Sequence, residues 1–112
     1  MLYRGGFGLE KNLIISILLD YYGALLSDTQ FNCTDLYYNE DYSLSEISEH
    51  EGITRQGVRD SIKHAEELLI KYEDKLKLYE KQKQVNALLD EMKEIAGEDE
   101  RVLSLINRLS EI

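Results

Sequence analysis

The sequence of 112 residues has no proline, no tryptophan and a single cysteine. The absence of proline favours long uninterrupted helices. One thiol, Cys33, cannot close an internal disulfide, so packing alone must hold the fold, as suits a reducing cytoplasm. In its local context Cys33 reads as a small buried hydrophobe between Phe31 and Leu36. Basic charge is also scarce: 13 Lys and Arg stand against 22 Asp and Glu, for a net charge of −9. That balance opposes tight, non-specific attraction to phosphates. The most apolar run, Leu13–Leu19, is far too short to cross a bilayer and is closed by Asp20. It has no small-residue cleavage site after it, so neither a secretory leader nor a membrane partner is expected.

Catalytic signatures are missing too. His50 and His64 have no Cys/His ligand spacing around them. His64 and Asp60 are four residues apart, which suits a surface contact on one helix face better than a catalytic pair. The glycines of Gly5–Gly8 are not followed by the Lys-Ser/Thr of a phosphate loop. The carboxylates are scattered along helical stretches. The chain therefore reads as non-enzymatic, with no cofactor and no metal.

What is present centres on Ser43–Leu69, SLSEISEHEGITRQGVRDSIKHAEELL. Ser43 and Glu46 form the S-x-x-E pattern of a capping box, which marks a helix start. Leu44 and Ile47 give that helix an apolar face. Gly52 supplies the left-handed residue that helix ends often need. Ile53 is expected to be the buried turn residue, and Thr54 caps a second helix. Val58, Ile62 and Ala65 then follow at helical spacing. Two short helices joined through a glycine turn make a helix-turn-helix, whose second helix can enter a DNA major groove.

The pattern S-L-x-E-I followed by G-[IV]-[ST]-R-x-x-V-R is carried by Ser43-Leu44, Glu46-Ile47, Gly52-Ile53-Thr54-Arg55 and Val58-Arg59. It resembles the C-terminal helix-turn-helix of bacterial sigma factors, region 4. With the preceding YYGALLSDTQFNCTDLYYNEDYSLSEI and the following Glu/Lys-rich helix, the chain resembles the small YlxM-type helix-turn-helix proteins over roughly residues 10–95. The resemblance implies a link to the signal recognition particle pathway, and a protein-binding adaptor reading takes the particle's GTPase or its receptor as partner.

The fold expected is all-α: a sigma-factor region 4-like helix-turn-helix with a long C-terminal helical extension. Residues 1–8 read as a flexible tail, 9–84 as the helix-turn-helix domain including a long helix, and 85–112 as the extension. Leu13, Ile14, Ile17, Leu18, Tyr21 and Leu25 recur at helical spacing and form the expected core face of the first helix. Ser27 with Gln30 is a second capping box, opening a helix to about Tyr38. The long helix is expected to run from Thr54 to residue 80 or beyond, with opposite charges such as Glu73 and Lys77 four apart. After Gln84 the apolar pattern shifts to Val85, Leu88, Leu89, Met92 and Ile95, a continuation or a slightly bent new segment, and Gly97 with Glu98-Asp99-Glu100 marks a break before a last amphipathic helix bearing Val102, Leu105, Ile106, Leu109 and Ile112.

Charge divides unevenly. Residues 54–83 are the one net-basic section, with eight basic and six acidic side chains. The nucleic-acid contacts expected for double-stranded DNA or RNA are Thr54, Arg55, Gln56, Arg59 and Lys63. Arginine can grip guanine and glutamine adenine through paired hydrogen bonds, and a helix N-terminus suits a phosphate. The alternative is a protein-interaction adaptor whose helix-turn-helix touches no nucleic acid. The stripe Val58, Ile62, Ala65, Leu69, Tyr72, Leu76, Tyr79 repeats at intervals of four and three, so a homodimer seam is expected at Leu69, Tyr72, Leu76 and Tyr79, the competing arrangement being an antiparallel hairpin in which 85–112 folds back on 72–84 within one chain.

Overall fold

The computed structural model describes residues 10–112, and the tail expected over residues 1–8 lies outside them. The described residues contain helices and no strand. They are α1 (Lys11–Tyr22), a short 3-10 turn (Gly23–Leu25), α2 (Asp28–Tyr38), α3 (Leu44–Glu51), α4 (Arg55–Leu76), α5 (Leu78–Ala96) and α6 (Glu100–Ser110). Two compact units divide the chain, one reaching to Lys77 and the other spanning Leu78–Ile112.

In the first unit the starts of α2, α3 and α4 are fixed by local side chains. Ser27 Oγ accepts the Gln30 N–H at 3.2 Å while Gln30 Oε1 accepts the Ser27 N–H at 3.0 Å. Ser43 and Glu46 repeat this reciprocal pair at 3.1 and 2.9 Å. Each box satisfies two of the donors that a helix start leaves free. The N–H of Ser43 holds the Glu46 carboxyl below its usual pKa, and the Ser43 hydroxyl adds to the effect.

Side chains from α2, α3 and α4 meet in one cluster. Cys33, Ile47, Val58 and Ile62 are buried, with Leu36, Tyr38, Tyr42, Leu44 and Ile53 packed around them. Cys33 is fully enclosed, and burial, then the Glu51 charge, pushes its thiol pKa up. It is a packing residue with little thiolate character. Ile53 is half-buried.

The first helix turns a different face inward from the one its spacing predicts. Ile14, Ile15, Leu18, Leu19 and Tyr22 are buried, whereas Leu13, Tyr21 and Leu25 are exposed. The run is apolar on nearly every side, so periodicity alone cannot choose the stripe; contacts with α2 and α4 choose it. Gly23 lets α2 come close, because a Cβ there would sit 2.7 Å from the Phe31 ring.

The expected long helix is shorter than its heptad pattern predicts. It stops at Leu76, and Lys77 takes a left-handed conformation, φ 55° and ψ 34°, with its N–H bonded to the Glu73 carbonyl. No glycine announces this stop. The core beneath α4 ends there: Leu69 and Glu73 are buried, but Leu76 is 47% exposed. Glu73 makes no surface pair with Lys77. Its carboxylate is enclosed and accepts the Tyr22 hydroxyl at 2.5 Å. The two residues that the spacing pairs are separated by the end of the core.

In the second unit α5 and α6 pack together as a hairpin. Gly97 adopts φ 60° at the turn. Asp99 caps α6, its carboxylate accepting the Arg101 and Val102 N–H groups at 3.0 and 3.3 Å. Leu89 and Ile106 are the buried apolar residues of this unit.

Candidate nucleic-acid interface

The turn between α3 and α4 sets the pose of the candidate reading helix. Gly52 closes α3 at φ 70°, ψ 31°, the left-handed cap that its position predicts. Its N–H and that of Ile53 both reach the Ser48 carbonyl, at 3.0 and 3.2 Å. Ser48 also donates its hydroxyl to the Ile53 carbonyl at 2.5 Å. This side-chain strap across the turn is a feature that sequence reasoning missed. A serine five residues before the turn's carbonyl has no pattern to distinguish it from any polar helix residue. Thr54 then caps α4, its Oγ1 accepting the Gly57 N–H at 3.0 Å. The hydroxyl proton is left to donate elsewhere, and a phosphate oxygen is a suitable acceptor.

Thr54, Arg55, Gln56, Arg59 and Lys63 are all exposed. Among the described residues, no ion pair within 4.0 Å engages Arg55, Arg59 or Lys63. Arg59 and Lys63 border a recess of about 230 Å³ together with Tyr37, Tyr38, Leu44 and Glu66. Glu66 accepts the Tyr38 hydroxyl and pairs with Lys11 at 3.1 Å, which occupies Lys11 rather than Arg59 or Lys63. Burial and the Glu66 contact together push the Tyr38 phenol well above its ordinary value.

Gln56 is not a free reader. Its Nε2 donates to Asp60 Oδ1 at 2.8 Å, one turn further along α4. Asp60 thus serves Gln56 and not His64, the partner expected from spacing, and His64 lies exposed. Pairing Gln56 with a base would require this bond to break. Asp60 also places a negative charge among the three cations. Glu51 is drawn away from the face, accepting from Asn32 Nδ2 at 3.2 Å and touching His50 Nδ1 at 2.9 Å. The surface offers a short cationic edge with an acid inside it.

The four expected seam residues differ in their burial. Leu69 is fully enclosed by its own chain and offers no surface to a second copy. Tyr72 is half-buried, its ring 6.0 Å from that of Tyr22. Leu76 is exposed at the end of α4. Tyr79 lies past the Lys77 break on α5, with the Lys83 ammonium 5.1 Å from its ring centroid.

No group of three or more His, Cys, Asp or Glu side chains among the described residues is placed to hold a metal ion. No described helix is long and apolar enough to cross a membrane.

Comparison with known proteins agrees with this architecture. A family profile described as "Putative helix-turn-helix protein, YlxM / p13 like" matches residues 9–109. A UPF0122 protein of Clostridium kluyveri is 52% identical over 77 residues, 69% of each chain. One from Lactococcus lactis subsp. cremoris is 38% identical over 104 residues, 93% of this chain and 94% of its own. One from Streptococcus gordonii is 40% identical over the same coverage. With a capped, glycine-turned helix pair at its centre and matches along nearly its whole length, the chain belongs to the UPF0122 family of YlxM / p13-like helix-turn-helix proteins.

Proposed function

We propose that this protein is a non-enzymatic, cytoplasmic helix-turn-helix protein that binds nucleic acid through the start of α4 and acts as an accessory to the signal recognition particle pathway. The observation that carries the nucleic-acid part is the exposed edge of Arg55, Arg59 and Lys63, none of them ion-paired among the described residues, beside the capping hydroxyl of Thr54 at the N-terminus of α4. Cations without a protein partner at a helix N-terminus are suited to phosphate. The pathway link comes from the family resemblance.

The small cationic count limits the affinity. Each phosphate contact contributes a slope of about −0.9 to log K against log salt on duplex DNA. Three cations therefore support a salt-sensitive complex, weaker than those of repressors that make many contacts.

The test is fluorescence anisotropy with a labelled pool of duplex DNA and a pool of structured RNA, at low and moderate salt. Binding at low salt is expected, and Arg55→Ala with Arg59→Ala should weaken it and flatten its salt slope by about two contacts. Binding that the double substitution leaves unchanged counts against this edge, as does none with either pool at low salt.

Asp60 favours a second reading. An acid within the face, already bonded to Gln56, suits an adaptor that meets a protein surface of mixed charge. In that reading the partner is the particle's GTPase or its receptor. Calorimetry with each purified partner, without nucleic acid, distinguishes the two readings, and Asp60→Ala should weaken the protein complex while strengthening any nucleic-acid complex.

A further inference from the structure

The α5–α6 hairpin buries little of its own apolar surface. Leu89 and Ile106 are enclosed, yet Leu88, Met92 and Ile95 on α5 and Val102, Leu105 and Leu109 on α6 are each at least 38% exposed. Helical geometry places these six on one side of the hairpin. At 100° per residue, Leu88, Met92 and Ile95 lie to one side of Leu89, which faces α6. Val102, Leu105 and Leu109 lie to one side of Ile106, which faces α5. The two helices are joined by three residues and run back along each other, so both displacements point the same way. The result is a two-helix sheet with a continuous apolar face, larger than scattered surface hydrophobes require.

The rims of that face identify what covers it. Glu91 follows on the outer flank of the α5 stripe. Arg101 and Arg108 follow on the outer flank of the α6 stripe. Arg101 is 93% exposed, and its single ion pair is a loose one, 3.9 Å from Asp99. The α5 flank therefore carries one acid, Glu91, beside the neutral Gln84, and the α6 flank carries two bases, Arg101 and Arg108. A partner helix of one sign would be repelled along one rim. A second copy is complementary along both. A two-fold axis parallel to the helices sets α5 of one hairpin over α6 of the other. It brings Glu91 between the heights of Arg101 and Arg108 across the interface, twice by symmetry.

We propose that the α5–α6 face is a homodimer interface, closed by a second copy into an antiparallel four-helix bundle with Glu91 paired to Arg101 and Arg108 across it. The seam thus lies on the hairpin and not along α4. Nothing in this proposal depends on nucleic-acid binding.

Light scattering on the full chain at micromolar concentration tests it. The intact protein should have twice the 13.0 kDa mass of one chain. Leu105→Asp, at a position already 57% exposed, should give a monomer with unchanged helical circular dichroism. Leu76→Asp on α4 should leave the dimer intact. Glu91→Arg should weaken the dimer roughly tenfold, by replacing attraction with repulsion at two symmetric sites. Adding Arg101→Glu and Arg108→Glu to Glu91→Arg should restore it. A monomeric intact protein overturns the proposal. So does a dimer that survives Leu105→Asp, or one lost in Leu76→Asp. Failure of the triple substitution to restore what Glu91→Arg removes overturns the pairing of helices across the interface.

Discussion

Replacing Thr34 by valine should stabilise the protein. Thr34 is fully enclosed in α2, and its hydroxyl has no hydrogen-bond partner. A threonine in a helix can ordinarily donate to the carbonyl one turn back, but no such bond is made here. A buried polar group left without a partner costs about 1–3 kcal/mol. Valine has the same branched shape, a similar rotamer restriction and nearly the same helix propensity, so little offsets the gain. The expected change is about 1–2 kcal/mol in favour of folding. For a unit of this size that raises the thermal midpoint by about 4–8 °C per kcal/mol. The assay is urea unfolding followed by tyrosine fluorescence. Of the described tyrosines only Tyr79 lies outside the first unit, so the signal reports on the unit that contains Thr34. The midpoint should rise with no change in slope. Thr34→Ser serves as the control: it keeps the hydroxyl, loses a buried methyl and should destabilise. A Thr34→Val protein less stable than the parent would refute the reasoning, because the hydroxyl would then have a partner worth keeping.

Two further outcomes follow from groups on α2 and at the helix-turn-helix. The Tyr38 phenol is held protonated by burial and by Glu66, so its pKa is higher folded than unfolded. That contribution is complete below the ordinary value of 10.0 and is lost as pH climbs past it, so the alkaline fall in stability should be shallower in Tyr38→Phe when urea midpoints are compared from pH 9 to 11. Gly52→Ala should cost about 1–2 kcal/mol by chemical denaturation, a purely conformational effect because φ is +70° and a Cβ there would meet nothing within 4 Å. A cost near zero would mean that the turn relaxes out of the left-handed region.

Features decided within three or four residues were legible in the sequence. The capping boxes at Ser27 and Ser43, the cap at Thr54 and the glycine turn at Gly52 all depend on short-range hydrogen bonds that side-chain type announces. The stripe Val58, Ile62, Ala65, Leu69 was legible as well, because polar residues border it on α4. Features decided by distant packing were not. The first helix is apolar around most of its circumference, so its inward face depends on what α2 and α4 present to it. Glu73 looked like a surface charge, and its partner is a tyrosine 51 residues away. The stop at Lys77 uses a residue with ordinary helix propensity in a left-handed conformation, forced by the end of the core and not by any local signal. In the candidate interface, the exposed cations could be listed from spacing. The Gln56–Asp60 bond could not, since Asp60 had two partners at equal sequence distance.

The joint at Lys77 also governs how the chain can be cut. Proteases require an extended stretch of backbone to enter their cleft, and exposed loop tips supply it. Between the two compact units there is no such stretch: helix runs to Leu76 and resumes at Leu78. Lys77 is exposed and has the side chain that trypsin selects, yet the residues on both sides of it are hydrogen-bonded into turns. Cleavage there demands unwinding of the end of α4 and the start of α5 together. Two parts that are distinct in packing are thus guarded as a single polypeptide by a linker too short to be digested.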